Sequence, residues 1–188
     1  MAKKVIVLLG SPRRKGNSAA LAEQITRGAK SAKAKVETIY LQGKNIAPCK
    51  ACMTCKKANS KGCAIQDDMQ GLYPKLIEAD AWVIASPVYW FTMSAQIKIF
   101  LDRTYGLTAY EEGPLVGKRI AIAMSYGGED PFDSGCVNAL RAFQDAFAYK
   151  ESKIVGMVYG SAEEAGEIRS NKKVMQDAFD LGKKLISE

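Results

Sequence analysis

Four of the five cysteines lie close together in one stretch of the chain. Two residues separate Cys49 from Cys52, two separate Cys52 from Cys55, and seven separate Cys55 from Cys63. This spacing brings three thiolates together on a tight turn with a fourth within reach, which is the ligand set of a [4Fe–4S] cluster. Structural zinc usually takes two well-separated cysteine pairs, and disulfides are rare in cytoplasmic proteins. We therefore predict that these four cysteines bind a [4Fe–4S] cluster, and that the fifth, Cys136, belongs to the core of a helical stretch.

The cysteine segment is also rich in positive charge, within a chain whose net charge is +7. The segment from Lys44 to Cys63 has no acidic residue and contains five lysines, Lys44, Lys50, Lys56, Lys57 and Lys61. No predicted helix carries a basic stripe, and no basic run is interleaved with aromatic residues, so the pattern does not indicate nucleic-acid binding. A cluster held by four thiolates is anionic, and nearby cations favour its reduced state. Solvated lysines on a loop are the alternative explanation.

The chain contains no histidine. This excludes a Ser-His-Asp triad and any histidine-ligated zinc or haem. A general acid or base would have to be a tyrosine, a lysine, a cysteine or a carboxylate. Electron transfer through a bound cofactor requires no such group, so we assign no catalytic side chain.

A second chemical signal follows the first apolar run, where Gly10 to Ser18 has the sequence Gly-Ser-Pro-Arg-Arg-Lys-Gly-Asn-Ser. Hydroxyls, cations and free backbone N–H groups at the start of a helix form an anion site. A simple N-cap would explain only Asn17 or Ser18. The loop is neither a Walker A motif nor a Rossmann fingerprint. We therefore predict that it binds a monophosphate.

Two further segments follow predicted strands, where ligands bind in doubly wound sheets. The first contains three adjacent aromatic residues that could line a planar ring, and the second contains two glycines that allow close backbone approach. The core or a subunit interface is the alternative location for the aromatics. The candidate residues in these segments are Pro87, Val88, Tyr89, Trp90, Phe91, Ser125, Tyr126, Gly127 and Gly128.

These segments are positioned by the strands and helices around them, which the sequence predicts as short apolar runs alternating with helical patterns. Such alternation predicts an α/β fold with a single doubly wound, five-stranded parallel sheet. We expect one domain over residues 1–188, interrupted by a cysteine-rich loop at about residues 43–67, which is long for a compact domain. The predicted strands lie at Val5–Leu9, around Val36–Tyr40, and at Trp82–Ala85, Ile120–Met124 and Ile154–Val158. No apolar run approaches the length of a membrane span, and Val5–Leu9 is too short for a signal peptide, so we expect a cytoplasmic protein.

Three motifs together resemble the NADPH-dependent FMN reductase family. They are the Gly-Ser-Pro-Arg…Gly-Asn-Ser loop, the Ser-Pro-Val-Tyr-Trp segment from Ser86, and Met93-Ser94-Ala95-Gln96-Ile97-Lys98…Phe100-Leu101-Asp102-Arg103. The cysteine spacing resembles that of the iron-sulfur flavoprotein branch of this family. The resemblance implies a flavodoxin-like sheet of order 2-1-3-4-5 and a homo-oligomer, a dimer or tetramer. It further implies that the FMN phosphate is held by Ser11, Arg13, Asn17 and Ser18, and that the isoalloxazine ring is lined by Pro87 to Phe91 and Ser125 to Gly128.

These features predict an FMN-dependent oxidoreductase that passes electrons from a donor, either NAD(P)H or a ferredoxin-type protein, to an acceptor. The prediction includes the [4Fe–4S] cluster. The first alternative is a NAD(P)H-dependent FMN or quinone reductase without a cluster. The second is a non-enzymatic redox sensor or a zinc-stapled interaction protein. We expect no nucleic-acid partner and no membrane partner.

Overall fold

A computed structural model describes residues 2–110 and 112–187. Its sheet has the strand order β2-β1-β3-β5-β6, and all of these strands are parallel. A short strand, β4, pairs antiparallel with the end of β3. The strands are β1 Lys4–Leu9, β2 Lys35–Tyr40, β3 Ala81–Tyr89, β4 Thr92–Met93, β5 Arg119–Tyr126 and β6 Lys153–Ser161. The five predicted strands and their order are confirmed, and β4 is the one addition.

Among residues 2–110 and 112–187, five α-helices cover the two faces of the sheet. They are α1 Asn17–Ser31, α2 Met69–Glu78, α3 Ala95–Arg103, α4 Cys136–Tyr149 and α5 Lys172–Ile186. Within the described ranges, none of them is long and apolar enough to cross a membrane. Helical crossovers between the parallel strands place helices on both faces of the sheet, and both faces are buried.

Successive side chains of each strand point to opposite faces of the sheet, so the core has two layers. In β1, Ile6 and Leu8 belong to the layer under α2, α3 and α4, whereas Val5 and Val7 belong to the layer under α1 and α5. The predicted core position of Cys136 is confirmed, since it is fully buried in the first layer. The strand ends of β1, β3, β5 and β6 consequently meet at one edge of the sheet, where the loops that carry the candidate residues begin.

Candidate functional site

The loop between β1 and α1 is fixed by contacts with β3 and α3. The Gly10 N–H donates to Ala85 O at 2.8 Å, and the Ser94 hydroxyl donates to Gly10 O at 2.8 Å. A Cβ atom on Gly10 would lie 2.2 Å from Ile97 Cγ1, so only glycine allows α3 to pack this closely. The start of the loop is therefore rigid before any ligand binds.

The loop and the first turn of α1 supply several hydrogen-bond donors beside one another. Ser11 Oγ accepts from the Arg13 N–H at 3.0 Å, which leaves the Ser11 hydroxyl proton to donate elsewhere. The Gly16 N–H donates to Arg13 O at 3.0 Å and closes the turn. The N–H groups of Asn17 and Ser18 lie in the first turn of α1, where no intrahelical acceptor exists. Together with the helix dipole, these donors form an anion site.

Two neighbouring arginines in the loop have different surroundings. The Arg14 guanidinium lies over the Tyr40 ring, 4.3 Å from its centroid, while the Tyr40 hydroxyl donates to Pro12 O at 2.5 Å. The Arg13 side chain is exposed and lines the cleft described below. Arg13 is therefore the cation available to an anion in that cleft.

The Asn17 side chain, by contrast, is occupied by the main chain that follows β6. Asn17 Nδ2 donates to Ala162 O at 3.2 Å and to Glu164 O at 2.9 Å. Asn17 Oδ1 accepts from the N–H groups of Gly166 at 2.8 Å and Ile168 at 3.2 Å. These bonds use the full capacity of a carboxamide. What Asn17 can offer an anion is its backbone N–H.

A cleft of about 310 Å³ opens at this edge of the sheet. One end carries the donors of the phosphate loop, and the other carries the ends of β3 and β5. It is lined by Ser11, Arg13, Gly16, Asn17, Ser18, Pro87, Val88, Tyr89, Ser125, Tyr126, Gly127, Ala162, Glu163 and Ala165. A cleft with hydrogen-bond donors and Arg13 at one end and uncharged strand-end residues at the other suits a phosphorylated aromatic cofactor.

Ten of the thirteen residues predicted to bind cofactor line this cleft. The other three, Trp90, Phe91 and Gly128, lie outside its lining. Trp90 and Phe91 form the two-residue turn between β3 and β4, with φ angles of 47° and 64°, and the turn points Trp90 into solvent at 92% exposure. Adjacent aromatics cannot all line one cleft, because a tight hairpin turn directs its central residues away from the strand end.

Sequence reasoning missed the segment that follows β6, which contributes Ala162, Glu163 and Ala165 to the cleft. The segment is held by Glu167, whose Oε2 accepts from the N–H groups of Glu163 at 2.7 Å and Glu164 at 2.9 Å. No motif marks it in the sequence. The signal that could have found it is its position, directly after the carboxyl end of the last parallel strand.

A larger groove, of about 750 Å³, runs along α1 and β2 and shares Ala165 with the cleft. Its lining includes Arg14 and Lys15 but none of the residues at the ends of β3 and β5. It therefore lacks the combination of anion donors and strand-end residues that the smaller cleft has.

The base of the cysteine loop is closed by a buried ion pair. Arg103 Nη1 and Nη2 donate to the two carboxylate oxygens of Asp67 at 2.5 and 3.1 Å, and the side chains are 1% and 4% exposed. Arg103 Nη1 also donates to Ala47 O at 2.7 Å, and Nη2 contacts Cys63 Sγ at 3.5 Å. Burial alone would raise the pKa of Asp67, but hydrogen bonds from Arg103 and from the N–H groups of Ala47 and Met69 outweigh it and lower that pKa.

A second set of bonds joins the two ends of the loop. The Asn45 N–H donates to Asp68 Oδ2 at 2.8 Å, and the Asp68 N–H donates to Asn45 O at 3.1 Å. Gln70 Nε2 donates to Cys63 O at 2.9 Å and Ile65 O at 2.6 Å. The protein itself therefore orders the base of a segment that the sequence left without any apolar pattern.

The cysteines have unequal surroundings. Cys49 and Cys52 are exposed, and Cys55 and Cys63 are partly buried. The pKa of Cys52 is lowered, chiefly by a hydrogen bond from Thr54. The pKa of Cys55 is raised, first by burial and then by the negative charges of the other three thiolates. Cys55 is thus within electrostatic range of the other three thiols.

The turn that carries Cys49, Cys52 and Cys55 contains two left-handed residues, Ala51 at φ 50° and Met53 at φ 56°. The Ala51 N–H also points to Cys49 Sγ at 3.5 Å. In residues 2–110 and 112–187, however, no group of three or more Cys, His, Asp or Glu side chains is arranged to hold a metal ion. The four predicted cysteine ligands are present with the predicted spacing, but their arrangement around a metal ion is not confirmed.

The strand order and the cleft at its carboxyl edge define a protein of the flavodoxin-like class. The chain matches the NADPH-dependent FMN reductase family over residues 3–167 and belongs to that family. It is an oxidoreductase, and the resemblance drawn from its motifs is confirmed.

Relatives agree with this assignment. An iron-sulfur flavoprotein of Methanocaldococcus jannaschii is 29% identical over 97% of this chain and 95% of its own length. A second iron-sulfur flavoprotein of that organism is 31% identical over 98% of this chain and 87% of its own. Among solved structures, a NAD(P)H:quinone oxidoreductase from Methanothermobacter marburgensis has the same fold, with a TM-score of 0.77 at 18% identity over 100% of this chain and 98% of that one.

Proposed function

We infer that this chain is an FMN-dependent oxidoreductase that takes electrons from a reduced nicotinamide dinucleotide. The observation that carries the proposal is the cleft that joins an anion site on α1 to the ends of β3 and β5. In this proposal the phosphate is held by the Ser11 hydroxyl, the Arg13 guanidinium, Ser18 and the backbone N–H of Asn17. The ring is lined by Pro87 to Tyr89 and by Ser125 to Gly127, with Trp90, Phe91 and Gly128 just beyond.

When bound, FMN supplies one- and two-electron redox chemistry, and the protein supplies orientation and electrostatics. The phosphate loop fixes one end of the cofactor through donors that are already oriented. Pro87, whose ring fixes its φ near the end of β3, would line the isoalloxazine ring, and Gly127 would allow the backbone to approach it. Tyr126 is largely buried and its pKa is raised by burial, so it stays protonated and can donate a hydrogen bond. No side chain has to transfer a proton, which accords with the absence of histidine.

The finer part of the proposal is that Cys49, Cys52, Cys55 and Cys63 hold one [4Fe–4S] cluster. Three observations support it: the spacing of the cysteines, the electrostatic interaction of Cys55 with the other three thiols, and the five lysines of the segment, which would suit an anionic cluster. The names of the two Methanocaldococcus relatives point the same way. With a cluster, a ferredoxin-type protein becomes a second candidate for the electron donor.

The competing function is a NAD(P)H-dependent FMN or quinone reductase without a cluster. It is favoured by the absence of a metal-holding group among residues 2–110 and 112–187. In that case the four cysteines are free thiols on a loop whose base is anchored by Arg103 and Asp67.

Anaerobic purification and reconstitution separate the two functions. The flavin reductase activity common to both is tested by adding FMN and following NADPH and NADH oxidation. For the cluster, wild-type protein should take up about four irons per chain, as a [4Fe–4S] centre requires. Single Cys→Ala variants at positions 49, 52, 55 and 63 should lose this iron, while the matched control Cys136→Ala keeps it. Wild-type protein that never holds iron, with four variants that oxidise NADPH as well as the parent, would establish the cluster-free reductase.

A further inference from the structure

We propose that the Asn17 side chain is a positioning residue that sets the width of the flavin cleft, rather than a ligand of the phosphate. The inference deepens the proposed function, because it rests on FMN occupying the cleft beside Asn17. It concerns how two segments that are far apart in sequence come to form one binding site.

The first argument is the complete use of the carboxamide. Both N–H groups of Asn17 donate to main-chain carbonyls, at Ala162 and Glu164, and both acceptor positions of Oδ1 are taken by the N–H groups of Gly166 and Ile168. Asn17 is 8% exposed. A side chain with every donor and acceptor engaged cannot bind a phosphate without breaking one of these bonds.

The second argument is that the hydrogen bonds of Asn17 hold the segment that follows β6. The segment from Ala162 to Gly166 follows β6, is irregular, and leads into a short 3-10 helix, Glu167–Ser170, so its polar groups need partners outside a regular helix or strand. It lines the cleft through Ala162, Glu163 and Ala165. Asn17 lies at the first turn of α1, on the phosphate side of the same cleft. It therefore connects the two sides of the cleft through a partly buried set of hydrogen bonds.

The other contacts between α1 and the segment after β6 are an exposed ion pair and apolar packing. Arg169 pairs with Glu23 at 2.7 Å, but both side chains are about half exposed, and exposed ion pairs contribute little. Ile168 is buried against the core and fixes the far end of the segment. The end nearest the cleft, Ala162 to Gly166, is held by Asn17, by the bond from the Ala162 N–H to Tyr126 O at 2.8 Å, and by the bonds that Glu167 makes with its own neighbours.

A positioning role and a phosphate-binding role predict different losses of affinity. If Asn17 sets the cleft width, Asn17→Ala should weaken FMN and riboflavin by the same factor, about tenfold or more for several lost hydrogen bonds. If it binds the phosphate, the loss should fall on FMN alone, as expected for Arg13→Ala. The FMN-to-riboflavin ratio of dissociation constants therefore separates the two roles.

Hydrogen exchange of the protein without flavin supplies an independent readout. In Asn17→Ala, the amides of Gly166 and Ile168 should exchange faster, while the Lys153 amide, which donates to Lys118 O at the other end of β6, should not change. Asn17→Asp keeps the acceptor for those two amides but places a carboxylate against the carbonyls of Ala162 and Glu164. It should preserve the slow exchange and still weaken both flavins.

The matched control is Asn171→Ala. Asn171 caps α5 by accepting from the Val174 N–H at 3.1 Å, and its loss should lower stability without changing either flavin affinity. The proposal is overturned if Asn17→Ala leaves riboflavin binding and the exchange of Gly166 and Ile168 unchanged. Wild-type protein that binds no FMN would contradict the proposed function instead, and the exchange experiment would still decide whether Asn17 holds the segment.

Discussion

Arg13 is the single cation of the phosphate loop whose side chain lines the cleft, because Arg14 is stacked on Tyr40. Arg13→Ala should therefore weaken FMN binding by about 1.5–3 kcal/mol, the range for a hydrogen bond to a charged group. Riboflavin, which lacks the phosphate, should bind the variant as it binds the wild type. Titration of both flavins into the apoprotein measures this.

Arg14→Ala is the control, and it should change FMN affinity little. Equal losses for FMN and riboflavin in Arg13→Ala would show that the arginine does not contact the phosphate.

We expect the free energy of unfolding to depend on pH through the protonation of Asp67. Its pKa in the folded protein is below the ordinary value of 3.8, so its contribution is present above that value and is lost as the pH falls through the folded pKa. At neutral pH, Asp67→Asn leaves Arg103 without its charged partner and should cost about 3 kcal/mol or more. The difference between variant and wild type should shrink below about pH 4.

Denaturant unfolding across this pH range tests the prediction. Asp102→Asn is the matched control on α3, since its partner Lys98 and Asp102 itself are 61% and 48% exposed and such pairs contribute about 0.5 kcal/mol or less. A difference between Asp67→Asn and wild type that stays constant down to pH 2 would contradict the assigned pKa direction.

At the scale of elements, the hairpin between β3 and β4 is strained. Trp90 and Phe91 both have positive φ, a conformation that suits Asn-Gly and costs bulky residues about 1 kcal/mol or more each. The double variant Trp90→Asn, Phe91→Gly should therefore raise the unfolding free energy by about 1 kcal/mol or more. Its main-chain bond, from Asn138 Nδ2 to Phe91 O at 3.1 Å, would remain.

The matched control is Trp90→Ser, Phe91→Ser, which removes the same aromatic rings without supplying residues that favour positive φ. It should be less stable than the Asn-Gly variant in thermal unfolding. Equal stability of the two would mean that the turn is not strained.

The elements that sequence reasoning placed correctly depend on local patterns. Val5–Leu9 and Ile120–Met124 are continuous apolar runs, and the anion loop is contiguous with the helix it precedes. The pair Arg103–Asp67 spans 36 residues and was missed, because neither residue is unusual in its own segment. From its type and position alone, Asn17 is expected to be a ligand or a helix cap. Its hydrogen-bond partners lie 145 to 151 residues away, in the segment after β6, so local sequence patterns could not reveal its contacts.

At the scale of the whole molecule, four exposed aromatic side chains lie on the hairpin between β3 and β4 and on the loop that approaches it. Tyr89, Trp90 and Phe91 are 41%, 92% and 56% exposed, and Phe132 is 72% exposed in the loop that reaches the hairpin at Gly135. A Cβ atom on Gly135 would lie 2.5 Å from Phe91 Cα, which shows how closely that loop approaches the hairpin. A patch of exposed aromatic side chains of this kind is typical of an interaction surface.

We expect this patch to be covered by a second copy of the chain, in a homo-oligomer of closed symmetry whose neighbour closes one face of the flavin. Light scattering of the flavin-loaded protein at micromolar concentration should give a mass that is a multiple of 20.5 kDa. Trp90→Glu should shift it toward the single-chain mass, because a charge at the centre of an apolar interface is left unpaired. Tyr149→Glu, at an 81% exposed position at the end of α4, should leave the mass unchanged. A wild-type protein that is a monomer with flavin bound would show that the patch serves no association between copies.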